Sequence, residues 1–373
     1  MSTQIMQTAD SVFAKTYTRF PLVIEKGRGS TLWDTAGRSY TDIVAGIPVC
    51  NLGHAHPAVN AALAEQMDKL YHVSNLYYTI RQTELAATLV ENSFADRAFF
   101  CNSGAEANEA AIKLARKYFS DRGQSERHVI ISAQKSFHGR TMASLSATGQ
   151  DKIKKGFDPI LPGFDFVPFD DIEALQKRMD ETVCAVLLEP IQGEGGVNTP
   201  SSDYFAQVRA LCDQHGALLI FDEIQTGMGR TGKLFAHEHF GVTPDVMTLA
   251  KALANGLPMG AMMATESVAS AFGPGAHATT FGGTPIVTAA ALATLNTLLE
   301  ERIPELAAET GEYFKAQLAT LVEKHSMALG VHGMGLILAL ELDRPGAPIV
   351  KACMEKGFLI NCVQEQRLRF VPP

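Results

Sequence analysis

No CxxC pair and no cysteine cluster interrupts this sequence: Cys50, Cys101, Cys184, Cys212, Cys353 and Cys362 are scattered, mostly in apolar stretches. That scatter argues against a disulfide framework or a cysteine zinc site and fits reduced thiols, hence an expected cytoplasmic location. No apolar run approaches the roughly 18 residues of a membrane helix, and the opening MSTQIMQTADSVF lacks an apolar signal core, so neither insertion nor export is expected. Runs of like charge are missing as well. The 32 basic and 40 acidic residues leave a net −8 spread along the chain, which disfavours nucleic-acid binding and favours small-molecule chemistry. HExxH is absent; His54 and His56, and His237 and His239, have metal-compatible spacing but no evident third ligand, so no catalytic metal is expected. There is no internal repeat, low-complexity tract or flexible linker.

What is present is a chain of 373 residues, 46% hydrophobic, enough to fill a large core. Short β-prone runs broken by glycine at Val23 to Ile43 read as a small antiparallel ribbon. From Pro57 helices are expected at Pro57 to Leu70 and Arg81 to Glu91, followed by a strand at Ala98 to Cys101. A helix from Ala105 to Phe119 comes next, with Ala107, Ala111, Leu114 and Tyr118 on one face and a Glu109–Lys113 pair along it. Further strands are expected at His128 to Ala133, Val183 to Leu188, Ala217 to Phe221, Asp245 to Ala250 and Gly260 to Thr265. A helix at Asp203 to His215 is stopped by Gly216. Strands alternating with helices imply an α/β fold with a mostly parallel sheet covered by helices. After Pro285 two helical stretches lead to a strand-like Val331 to Leu342, then helix and strand. The expected division is an N-terminal segment 1–50, a large domain 51–285 and a C-terminal segment 286–373, the two end segments forming a smaller α+β domain.

Open α/β sheets place their sites at strand C-termini. Asp222 closes the strongest apolar strand (ALLIF), and Lys251 follows another apolar run (DVMTLA), so both can face one crevice. A lysine with a carboxylate is the pair that pyridoxal phosphate requires: the amine binds the cofactor aldehyde and the acid keeps the pyridine nitrogen protonated. CNSGAE at Cys101 to Glu106 passes from a strand end into a helix start, where backbone amides and the Ser103 hydroxyl suit a phosphate, although Ser-Gly is also an ordinary cap. Phe137 and Arg140 in FHGR offer a ring to stack on a flat cofactor and a guanidinium for a carboxylate; His138 reads better as a hydrogen-bonding structural residue than as a catalyst. EPIQGEGG at Glu189 to Gly196 carries two carboxylates on a glycine-rich loop. Gln225 is a candidate second contact to a ring substituent. GMGRTGK imitates both the dinucleotide and the P-loop patterns, which leaves a nucleotide-dependent oxidoreductase or NTPase as the reading from another class. Leu234 replaces the magnesium-binding Ser or Thr, however, and Asp222 to Thr226 separate the glycines from the strand. Arg367 and Arg369 share one strand face, as a carboxylate clamp or as a charged sheet edge.

Taken in order, GIPVCNLGHAHP, NSGAEANEAAIKLAR, FHGRT, LEPIQGEGG, FDEIQTGMGRTG, LAKALANGLPMGA and TTFGG resemble the fold-type I, class III pyridoxal-phosphate aminotransferases across nearly the whole chain, and within them the acetylornithine aminotransferases. The resemblance implies that Lys251 carries the cofactor and shuttles a proton, and that Asp222 pairs the pyridinium. It further implies that Phe137 stacks on the ring, that Gln225 approaches the phenolic oxygen and that Ser103, Gly104 and Ala105 hold the phosphate. Thr280 would hold the phosphate of a second subunit's cofactor, so a homodimer is implied. Arg140 would bind the substrate carboxylate remote from the reacting carbon and Arg369 the near carboxylate of glutamate, with Glu194 neutralising Arg369 when an ω-amine is bound. The expected reaction moves the δ-amino group of N2-acetylornithine to 2-oxoglutarate, in arginine synthesis; ornithine, succinylornithine, acetyl-lysine and 4-aminobutyrate are rival amines. Three departures stand out. The chain stops at Pro373, directly after RLRFVPP, where the family pattern continues into another helix, so the smaller domain is expected to be truncated. Thr284 replaces the Asn of FGGN, and His332 replaces the Arg of VRGMG.

Overall fold

The computed structural model describes residues 2–373. Three strands, β1 (Ile24–Arg28), β2 (Thr31–Asp34) and β3 (Ser39–Asp42), form the expected N-terminal ribbon. The central layer is a seven-stranded sheet of β4 (Arg97–Cys101), β5 (Val129–Ala133), β6 (Phe164–Val167), β7 (Val183–Leu188), β8 (Leu218–Asp222), β9 (Val246–Leu249) and β10 (Gly260–Ala264), in the order β4-β10-β9-β8-β7-β5-β6. Strands β5 to β9 pair in parallel, while β10 runs against both β9 and β4. One reversed strand leaves β4 pointing the same way as β9. The C-terminal ends of β4, β5, β7, β8 and β9 therefore emerge on one edge, which is what positions the site.

Both faces of this sheet are buried, which explains the unbroken apolar strands. Along β7, Ala185 and Leu187 pack with Ile220 against the helix Gly104–Ser120, whereas Val186 and Leu188 pack with Phe221 against the helix Tyr204–His215. The period-two alternation of a strand sends neighbouring side chains into separate cores. The helix Tyr204–His215 ends at a left-handed Gly216, as its sequence anticipates. The Glu109–Lys113 pair does not form. Glu109 instead accepts hydrogen bonds from the Thr141 hydroxyl and from the amides of Ala143 and Ser144, at the start of the helix Met142–Ala147, while Lys113 reaches His277 at 2.9 Å. Three donors focused on one carboxylate outweigh an exposed ion pair worth a few tenths of a kcal/mol.

The last third departs from a single strand at Val331 to Leu342. A hairpin of β11 (Ala328–Met334) and β12 (Ile337–Leu342) turns at Gly335, and β13 (Phe358–Leu359), β14 (Asn361–Val363) and β15 (Arg367–Phe370) follow. Strands β11, β12, β15 and β14 form a second sheet, and β13 adds in parallel to β3 of the N-terminal ribbon. Since β15 has a partner on each side, a charged sheet edge is ruled out for Arg367 and Arg369. At the two departures, Thr284 donates to the carbonyl of Tyr71 at 2.6 Å, and His332 lies 2.9 Å from Glu341, which also pairs with Arg367. No helix among the described residues is long and apolar enough to cross a membrane.

Candidate functional site

A cavity of about 440 Å³ opens at the common strand edge, lined by Ser103, Gly104, Ala105, Phe137, Arg140, Asp222, Gln225 and Lys251. They arrive from four strand ends, those of β4, β5, β8 and β9. Ser103 and Gly104 follow β4, where Ser103 caps the helix Gly104–Ser120 by accepting from the amide of Glu106 at 3.2 Å. The amides of Gly104 and Ala105, at the head of this helix, have no intrahelical carbonyl to bond and face a positive dipole end. A side chain at position 104 would lie 2.8 Å from Ile224, so glycine lets the backbone close against the loop after β8.

Asp222 ends β8 at 4% exposure, fully enclosed by donors. Its Oδ2 accepts from Asn108 Nδ2 and from His138 Nδ1, both at 2.8 Å, and Oδ1 accepts from the amide of Ile224 at 3.1 Å. Asn108 is in turn oriented by the Thr248 hydroxyl at 2.8 Å and donates to the His138 carbonyl, while His138 Nε2 lies 3.0 Å from Ser132. The acid is thereby locked in one rotamer. A buried carboxylate is tolerable only with such compensation.

Lys251 leaves β9 with a left-handed φ of +45°, a conformation costly for any residue with a Cβ and typical of functional positions. Burial lowers its amine from the ordinary 10.5 to about 8, against the raising effect of Glu194 and Asp222. One wall behind the cavity, Arg369 is fully buried and bonds Glu194 Oε1 at 2.6 Å. Gln225 links this pair to the cavity, its Nε2 3.3 Å from the same Glu194 oxygen. Although burial raises the Glu194 carboxyl, the Arg369 charge and hydrogen bond together with Lys251 prevail, and its pKa falls below the usual value. Arg140 stands exposed at the mouth with its guanidinium 5.6 Å from the Phe137 ring. Thr280 is not brought to this cavity; it is exposed on the surface.

Three residues in the site went unassigned in the sequence: Asn108, Glu189 and Thr248. The signal for Asn108 was its position beside Ala107 and Ala111, on the buried side of an Ala-rich helix where a polar residue needs a partner. GMGRTGK takes a structural path. Arg230 is buried and donates to the carbonyls of Leu336 and Pro372 and to Asn51, so the loop joins separate parts of the chain. Of the histidine pairs, His54 engages Asp42 at 2.7 Å and His237 engages Glu223 at 3.0 Å.

The donor set suits one group: helix-start amides and a hydroxyl for a phosphate, a ring for a flat heterocycle, a fixed carboxylate for a ring nitrogen and an amine for an aldehyde. That combination within a mostly parallel sheet defines a fold-type I pyridoxal-phosphate transferase. The model of the class-III aminotransferases matches residues 12–373. Acetylornithine aminotransferase of Caldanaerobacter subterraneus subsp. tengcongensis is 51% identical over 359 residues, 96% of this chain and 91% of that protein. The enzyme of that name from Methanocaldococcus jannaschii is 50% identical over 357 residues, 96% and 90% of the two chains. Among solved structures, ornithine aminotransferase from Toxoplasma gondii superposes with a TM-score of 0.97 at 34% identity, covering 100% of this chain and 90% of that one. Acetylornithine aminotransferase from Elizabethkingia anophelis gives 0.90 at 32%, covering 100% and 94%. This chain belongs to the class-III aminotransferases and is a pyridoxal-phosphate-dependent transaminase, close to the acetylornithine and ornithine enzymes. The oxidoreductase and NTPase readings of GMGRTGK are set aside by that membership.

Proposed function

We propose that the protein transfers the δ-amino group of N2-acetylornithine to 2-oxoglutarate as a step of arginine synthesis, working as a homodimer. The observation that carries the substrate reading is the ion pair of buried Arg369 with half-buried Glu194, both acting on the amine of Lys251. An ω-amine brings no carboxylate to its reacting carbon, so Arg369 needs a counter-ion in that half-reaction; glutamate supplies its own in the other. An unpaired buried guanidinium would cost several kcal/mol. Glu194 therefore pairs Arg369 while the ω-amine is bound and swings aside for glutamate. Arg140, exposed at the mouth, receives the remote carboxylate. The names of the relatives at 50–51% identity favour acetylornithine over ornithine.

Ser103, Gly104 and Ala105 would hold the phosphate of pyridoxal phosphate, Phe137 its ring face, Gln225 its phenolic oxygen, Asp222 its ring nitrogen and Lys251 its aldehyde. The bound cofactor supplies an electron sink for the carbon that gives up its proton. Lys251 Nζ takes that proton from one carbon and returns it at the next; an amine near neutrality is suited to both directions. His138 and Asn108 hold Asp222 fixed in direction.

For the dimer, an exposed apolar patch of Tyr71, Leu76, Tyr77, Tyr78, Ile80 and Phe281 adjoins Thr280. The hydrogen bonds of Asn75 to the carbonyls of Thr279 and Gly282 tie its two segments together. Such a patch is suited to a second copy, and Thr280 would then approach that copy's phosphate site. Single-turnover bleaching of the visible cofactor band by acetylornithine, ornithine, succinylornithine and 4-aminobutyrate tests the substrate. Fastest bleaching by acetylornithine is expected; preference for free ornithine would replace this reading.

A further inference from the structure

We propose that Glu189 is a positioning residue whose buried carboxyl ties the loop carrying Phe137 to the loop carrying Glu194, so that ring contact and carboxylate reading are set together. The inference rests on the roles proposed for Phe137, Glu194 and Arg369. Glu189 follows β7, the strand lying between β8 and β5, and is only 4% exposed. Its Oε2 accepts from the amide of Phe137 at 3.1 Å and its Oε1 from the amide of Gly193 at 3.4 Å. The carbonyl of that same Gly193 accepts from Arg369 Nη1 at 3.3 Å. A continuous path thus runs from the ring-facing loop through one carboxyl to the guanidinium and on to Glu194.

Close packing gives this path little slack. A Cβ at Gly193 would lie 2.3 Å from Gln225 Oε1, so the bridged loop is pressed against the amide that faces the cavity. Burial, reinforced by the charge of Asp222, raises the Glu189 carboxyl well above the ordinary range despite two amide donors and Lys251. A group so burdened has reason to remain only where its geometry is used. The buried Gln192 side chain also joins these loops by donating to the Gln134 carbonyl at 2.8 Å, so the Glu189 carboxyl is the part of the tie that reaches Phe137 itself.

Cofactor titration and separate half-reactions, run on the wild-type holoenzyme and on Glu189→Gln, Glu189→Ala and Glu189→Ala/Glu194→Gln variants, decide the matter. Glu189→Ala is expected to weaken pyridoxal-phosphate binding about tenfold, the scale of a lost buried hydrogen bond, and to raise KM for glutamate more than it lowers kcat. Glu189→Gln, which keeps one acceptor, should fall between wild type and Glu189→Ala, and it replaces the alanine variant if that fails to fold. Adding Glu194→Gln should cost less than the product of the separate effects. Unchanged cofactor affinity and glutamate KM with only a lowered Tm, or effects that multiply independently, would overturn the role. If glutamate fails to react with the wild-type enzyme, the substrate proposal falls instead, and cofactor affinity still decides for Glu189.

Discussion

The amine of Lys251 and the acid of Asp222 have been prepared in opposite ways. Burial lowers the lysine to about 8, so its neutral form dominates above that pH; capture of pyridoxal phosphate by apoenzyme should accelerate with pH and level off above about 8, well below the 10.5 of a free lysine. Stopped-flow reconstitution across that range checks this. Replacing Lys251 by Ala should remove the visible band and turnover together. Asp222 depends on partners instead. Asn108→Ala takes away a 2.8 Å donor to the buried carboxylate and, at about 1.5–3 kcal/mol for such a bond, should reduce kcat/KM roughly ten- to a hundredfold, read in steady-state assays with folding checked by thermal melts. Asp222 and Lys251 were readable because an apolar strand announces its own end. Asn108, Thr248 and Glu189 were not, since their partners come from other strands and no local pattern encodes such meetings.

At the scale of elements, the ion pair between Asp42 at the end of β3 and His54 in the following loop is a pH-dependent clasp. The Asp42 hydrogen bond, aided by Cys50 and opposed by burial, lifts His54 from 6.5 to about 9. Burial raises the Asp42 carboxyl, but His54 and the amides of Val44 and Ala45 together bring it below 3.8. A histidine raised in the folded state stabilises fully below its unfolded pKa and loses that contribution as pH climbs through the folded one. The melting-temperature gap between wild type and His54→Gln should therefore shrink between about pH 6.5 and 9, and below pH 4 as Asp42 protonates. The buried parallel strands were legible because β7 and β8 are apolar on both faces. β6 was not: FDFV alternates, is short and pairs with β5 alone. Nor was the helix Ser2–Val12, which contributes no buried residue and so lacks the core-facing stripe that periodicity detects. The β11–β12 hairpin was read as one run because its turn is a single Gly-Leu step, too short to interrupt the pattern leading into the apolar β12.

For the whole molecule, the exposed aromatic patch carries the assembly prediction. Tyr78, 99% exposed in the single chain, should be covered by a second copy. Tyr78→Asp would then put an unpaired charge into that contact, shift sedimentation toward monomer and weaken cofactor retention through Thr280, while leaving the intrinsic fold intact. A wild-type monomer at micromolar concentration would remove this reading. The family was legible at this scale because its motifs occur in order along nearly the full chain. Substrate preference was not, because discrimination among ω-amines depends on the shape of the cavity wall beyond Arg140, to which distant segments contribute.

Because β13 completes the N-terminal ribbon and Arg369 lies on β15, well after Lys251 in the chain, the order of synthesis matters. Elements that emerge first tend to fold first, so the pocket for the vitamin can take shape on the ribosome before Arg369, to which the proposed function assigns the reading of glutamate, has been translated. A nascent enzyme would thus acquire its chemistry before its discrimination.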